Sequence, residues 1–169
     1  MSREELAIEE ILYALNECFD GEGRSGGIFL EPEDPGLLSI LAALNAEEAS
    51  APVAGTSIAT HVYHLIYALC VFIKRINADK ADPNATPVDW SESWQEYPLN
   101  EAEWESMKKD LSNFREDATT LARYYNAGEP GYYEKHLRLV MGLLTHTVFH
   151  LGIIRVISDE RLKGEANVR

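Results

Sequence analysis

Residues 139–157, LVMGLLTHTVFHLGIIRVI, decide the fold class. No formally charged residue occurs from Leu139 to Ile154, and Arg138 and Arg155 close that run at either end. It falls short of the roughly 20 apolar residues that a membrane span requires, and His, Thr and Gly interrupt it. Within it Leu139, Leu143, His146, His150, Ile153 and Ile157 follow one another at intervals of 4, 3, 4, 3 and 4 residues, the spacing of one helix face. Two of those six core-facing positions hold histidine where an aliphatic side chain would ordinarily sit. The stretch therefore reads as a helix buried in a protein core, with two imidazoles turned inward.

Three further long helices lie upstream. The first is expected from Ser2, as N-cap, to Phe19, with Ile8, Ile11, Leu12, Leu15, Cys18 and Phe19 on its apolar stripe. Glu4, Glu5, Glu9, Glu10 and Glu17 lie off that stripe and read as a solvated face. GEGRSGG breaks it, and a short helical piece is expected over Gly36–Ala46, after Pro35. The second long helix begins near Thr56 or Ser57 and runs to about Asn77. Asn100 with Glu103 has the pattern of a reciprocal cap opening the third, which extends to about Asn126, where GEPG ends it. The fourth runs from about Tyr132 to Leu162. Residues 79–99 contain three prolines and little periodicity, so a long crossover, non-helical around residues 80–98, joins helices two and three. A connection of that length lets those two helices lie parallel. The expected architecture is all-α, a four-helix bundle forming a single domain over residues 1–169.

Charge narrows the function classes. There are 28 acids against 15 bases, a formal charge of −13, and the densest basic spots, Lys74-Arg75 and Lys108-Lys109, are flanked by acids. Nucleic-acid binding needs a local excess of Lys and Arg, so no nucleic-acid partner and no anionic membrane surface is expected. The N-terminus MSREELAIEEILYALNE lacks a basic region followed by an apolar core and so does not read as a signal peptide. Cys18 and Cys70 lie inside apolar helical runs and read as reduced, buried thiols, consistent with a cytoplasmic chain.

The histidines carry the chemistry. His146 and His150 stand four residues apart, so both rings can address one ion. On that pair alone, two core histidines bonded to tyrosine or backbone groups is the simpler account. Helix two changes the balance, because His61 and His64 stand three residues apart in another apolar helix. Three neutral imidazole nitrogens with an open fourth position form a common catalytic metal arrangement. One of His61 and His64 is enough to complete it. His136, more than two turns before His146, is expected to be exposed.

Three stretches together are similar to the DinB/YfiT-like superfamily, which includes thiol-dependent maleylpyruvate isomerases: SIATHVYHLIYAL in helix two, DWSESW followed by LNEAEW before helix three, and HTVFHLGIIR in helix four. The resemblance spans nearly the whole chain. It implies an up-down-down-up bundle, frequent homodimers and one divalent ion, zinc or nickel, held by His64, His146 and His150. In that family the first metal histidine comes seven residues after a Ser-Ile opening, here Ser57 and His64. Members often carry Gln three residues after the last ligand and an acid three after the first; this chain has Ile153 and Tyr67.

Two functional readings stand. One is a metal-dependent enzyme, transferring or isomerising a small molecule through a low-molecular-weight thiol. The other is a non-catalytic metal- or ligand-binding bundle with a stress-related role. Gly21 to Gly26 spells GxGxxG, yet no strand precedes it, so it is read as a flexible loop. Trp90, Trp94 and Trp104 are expected to pin the crossover to the bundle rather than to line a substrate mouth.

Overall fold

The computed structural model describes the backbone of residues 3–21, 27–77, 88–94, 98–123 and 132–166, and side chains within 6–21, 27–74, 88–94, 98–119 and 137–161. The helices are α1 (Arg3–Asp20), α2 (Leu37–Ala42), α3 (Ala46–Ser50), α4 (Ile58–Asn77), α5 (Glu101–Arg123) and α6 (Tyr132–Ala166). A 3-10 helix occupies Trp90–Trp94. Among the described residues there is no strand, only an isolated bridge between Val53 and Thr56. The protein is all-α.

Local chemistry explains where the helices start. Ser57 Oγ accepts from the Thr60 amide at 3.1 Å, capping α4. Asn100 and Glu103 cap each other at the head of α5, with bonds of 2.8 and 3.1 Å. The piece expected over Gly36–Ala46 is instead two helices, because Asn45 and Glu48 form a second reciprocal cap that restarts the chain as α3. The expected non-helical crossover is corrected in part by the 3-10 helix at Trp90–Trp94, while residues 78–87 and 95–97 lie outside the described residues. So do Ser2, the expected cap of α1, and residues 22–26 of the GxGxxG string.

The four long helices make one core. α4 packs on α6 and α5, and α1 on α6 and α5, so each long helix has two long neighbours. Leu12, Leu15, Phe19, Leu65, Leu69, Leu111, Leu143 and Ile154 are among the side chains sealed inside. Residues 137–161 of α6 are apolar and long enough to cross a membrane, but 44% of that window is buried in the protein. Gly142 lets α6 come close to α4, since a Cβ there would meet Phe72 Cε1 at 2.9 Å.

Glu17 departs from expectation. It is not part of a solvated face but 2% exposed, and its carboxylate accepts from the amides of Ile28, Phe29 and Leu30 at 2.7–2.9 Å. Burial pushes its pKa up, yet the three amide bonds outweigh that and hold it below the usual value. α1 then ends at Gly21, whose φ of +83° and close approach to Gly36 no other residue would accept easily. Arg115 pairs with Asp20, and Arg155 with Asp34 at 2.7 Å, fastening this loop end to α5 and α6.

Candidate metal centre

Four histidines from two helices meet in one place. His61 and His64 come from α4, His146 and His150 from α6, and their ring centroids lie 4.7–5.2 Å apart in neighbouring pairs. Side chains at i, i+3 and i, i+4 share a helix face, so the facing stripes of two packed helices bring all four together. His61, His64 and His150 are 1–5% exposed. His64, His146 and His150 each offer a ring nitrogen within 4.8 Å of the other two. His136 lies in α6, but its side chain is outside the described residues.

Burial strips water from these rings and disfavours the imidazolium form. His64 is pushed down to about 4 by burial, with the neighbouring His146 and His61 adding to it. His150 falls to about 3, again chiefly by burial, then by the charges of His146, His64 and His61. Burial also lowers His61 and His146. All four are therefore neutral at neutral pH, the state in which imidazole donates a lone pair to a metal.

The nitrogen bookkeeping fits an ion. His64 Nδ1 lies 2.8 Å from Ser93 Oγ, while that hydroxyl donates to the Trp90 carbonyl at 2.6 Å. A serine has one proton to give, so His64 Nδ1–H must be the donor and Nε2 carries the free lone pair. His146 Nε2 is buried without a hydrogen-bond partner. A buried imidazole nitrogen left unpaired is costly, and an ion between these rings would satisfy it.

The tryptophans act differently from expectation. Trp94 stacks on His64 with centroids 3.8 Å apart and sets its edge against His61 at 5.6 Å, while Trp90 tilts toward His64 at 6.1 Å. Both are about two-fifths exposed, so they form the outer wall of the histidine group as well as anchoring the 3-10 helix. Trp104 is in α5, fully buried, and its Nε1 donates to the Leu44 carbonyl at 2.8 Å; it secures the α2–α3 connection rather than the crossover. Tyr67 donates to the Asp89 carbonyl at 3.1 Å. The free thiols are apart from this chemistry: Cys18 is buried and its pKa is pushed up to about 12, and Cys70 is half-buried rather than buried.

The sequence profile of the DinB superfamily matches residues 35–154, well over half of the chain. The chain belongs to the DinB superfamily. No curated protein and no solved structure matches it. The DinB match takes in α4, the 3-10 helix, α5 and α6 as far as Ile154, so the four histidines, Ser93 and both outer tryptophans lie inside it. Ser93 is the residue in contact with the histidine group that sequence reasoning missed. Its DWSESW setting was visible, but nothing in the spacing shows that a residue 29 positions after His64 returns to that ring.

Proposed function

We propose that this DinB protein binds one divalent ion, zinc or nickel, through His64, His146 and His150, and uses it on a small molecule together with a low-molecular-weight thiol. The observation that carries this reading is the convergence of three neutral imidazoles, one with an orphaned nitrogen. An ion in such a site supplies Lewis acidity, lowering the pKa of a bound thiol or water. The chain's own residues do the rest. His64 is presented by Ser93 with its lone pair on Nε2. Trp90 and Trp94 limit water on the outer side, which strengthens electrostatic effects within. Thiol transfer or isomerisation is the reaction class that the family resemblance implies for such an ion.

The reading extends to a cytoplasmic, single-domain, up-down-down-up bundle. The parallel course of α4 and α5 within that bundle is supported by the Glu101 carboxylate accepting from the Ala46 amide at 3.0 Å, and by Ser50 Oγ accepting from the Leu99 amide at 3.4 Å. Both bonds tie the start of α5 to the segment leading into α4.

A second reading, a non-catalytic ion that staples α4 to α6, is favoured by Trp94 lying flat on His64. Elemental analysis of protein purified without a nickel column tests the common core. One equivalent of ion is expected, lost in His150→Ala. Retention of the metal by the triple alanine variant of His64, His146 and His150 defeats both readings. Cobalt substitution separates them: a sulfur-to-metal charge-transfer band on adding a small thiol marks an exchangeable position, and no spectral response favours the staple.

A further inference from the structure

The 3-10 helix turns its polar Ser93 inward and its two indoles outward, the reverse of ordinary packing. Ser93 is fully buried, while Trp90 and Trp94 are 39% and 43% exposed. Trp94 lies against three imidazoles, with ring centroids 3.8 Å from His64, 5.6 Å from His61 and 6.0 Å from His150. Trp90 stands 6.1 Å from His64 and meets the half-buried Tyr67 of α4 at 6.0 Å, the two planes 63° apart. Anchoring alone does not explain the outward rings. The His64–Ser93 bond and the bond from Tyr67 to the Asp89 carbonyl already hold the segment to α4. This wall also adjoins an unfinished group: His61 is 5% exposed and its Nε2 has no hydrogen-bond partner.

Charge decides what such a wall holds. Two exposed carboxylates, Asp89 and Glu92, belong to the same short segment. Asp89 is kept ionised, its carboxyl held below the usual range chiefly by the Ser91 hydroxyl and then the Ser91 amide. The Tyr67 phenol is pushed up, first by burial and then by the negative charges of Glu92 and Asp89. Aromatic faces carry the negative part of the ring quadrupole, so two rings set at an angle beside carboxylates attract a cation and disfavour an anion. We propose that Tyr67, Trp90 and Trp94, with Asp89 and Glu92, receive the cationic end of a small molecule, an amine or quaternary ammonium, whose other end reaches the histidines. This deepens the metal reading by giving its substrate a charge, and it rests on that reading only for what happens at the ion. The chain's charge of −13 draws such molecules in.

Choline is the probe, added to the protein as purified and again after chelation, so that the outcome does not hang on the ion. Proton–nitrogen NMR follows the three indole N–H groups, with the fully buried Trp104 as internal control. Choline should shift Trp90 and Trp94 but not Trp104. It should bind about 5- to 30-fold more tightly than its uncharged carbon isostere, the range of cation–π contacts. The anion tert-butylacetate should bind weakest. Trp90→Leu and Tyr67→Leu should each remove most of the preference, Trp90→Phe should keep it, and Glu92→Gln should weaken choline about twofold at low salt. Circular dichroism reports the fold of each variant. Choline binding no more tightly than the isostere overturns the proposal. So does tightest binding of the anion, or a preference that outlives the double variant of Trp90→Leu and Tyr67→Leu. A choline preference in a protein whose cobalt form gives no thiol band keeps the mouth and removes the thiol reading; a thiol band without the preference removes the mouth alone.

Discussion

His61 and His150 face each other through like atoms, Nδ1 to Nδ1, 3.1 Å apart. One ring must donate and the other accept, so the pair fixes two tautomers at once. If His150 gives Nε2 to an ion, its Nδ1–H is the donor, and His61 keeps its own proton on Nε2. That Nε2 is buried and has no hydrogen-bond partner. On the proposed reading, His61 would orient a ligand rather than bind the ion itself.

Replacing His61 with Ala should leave metal stoichiometry at one while weakening affinity about 10- to 100-fold, the usual effect of removing an orienting partner. Competition against a chelator of known affinity measures it. Complete loss of the ion in this variant would make His61 a ligand.

Ser93→Ala should weaken metal binding by a similar factor of about 10–100. His64 would lose the acceptor that keeps its proton on Nδ1. Long-range nitrogen–proton NMR of the metal-free protein should show the His64 tautomer becoming mixed, and Ser93→Thr should preserve it. An unchanged tautomer in Ser93→Ala would break the link.

Acid should destabilise the metal-free fold early. His64 and His150 sit at about 4 and about 3, against 6.5 when unfolded. The unfolded chain binds more protons throughout that window, so these groups contribute stability that is fully present above pH 6.5. It is lost as pH falls toward 4 and then 3. Urea midpoints should drop from pH 7.5 to pH 5, and should drop less in the variant with His64 and His150 both replaced by Phe.

Glu17→Gln should cost about 1.5–3 kcal/mol, the range for hydrogen bonds to a charged acceptor. Gln offers one acceptor oxygen where the carboxylate serves three amides through two. Thermal or urea unfolding measures the loss, and hydrogen exchange at residues 28–30 should rise. A change below about 0.5 kcal/mol would show that the cradle adds little.

What the sequence made legible was periodic or local. The stripe from Leu139 to Ile157 identified α6, and Asn100 with Glu103 marked the start of α5 within a residue. The Asn45–Glu48 cap has the same form and divides the short helical piece. The convergence of His64, His146 and His150 follows from the helix faces, because side-chain direction on a helix is set by position. Glu17 and Ser93 were opaque for the opposite reason. Each acts on a segment 11 to 29 residues distant, through a loop whose path no periodicity encodes. Trp94 was similarly hidden, since a ring that covers a site and one that anchors a loop have the same local pattern.

The position of Ser93 has an evolutionary consequence. Helices α4 and α6 fix where the imidazoles stand, and their packing tolerates little change. The proton on His64, however, is governed from the 3-10 helix, in a connection between helices. Connections accept substitution and changes of length far more readily than packed cores. The placing of the imidazoles and the tautomer of His64 are therefore inherited on separable pieces of chain. Descendants of such a bundle can alter the surroundings of His64 by exchanging a connecting segment while the core stays as it is.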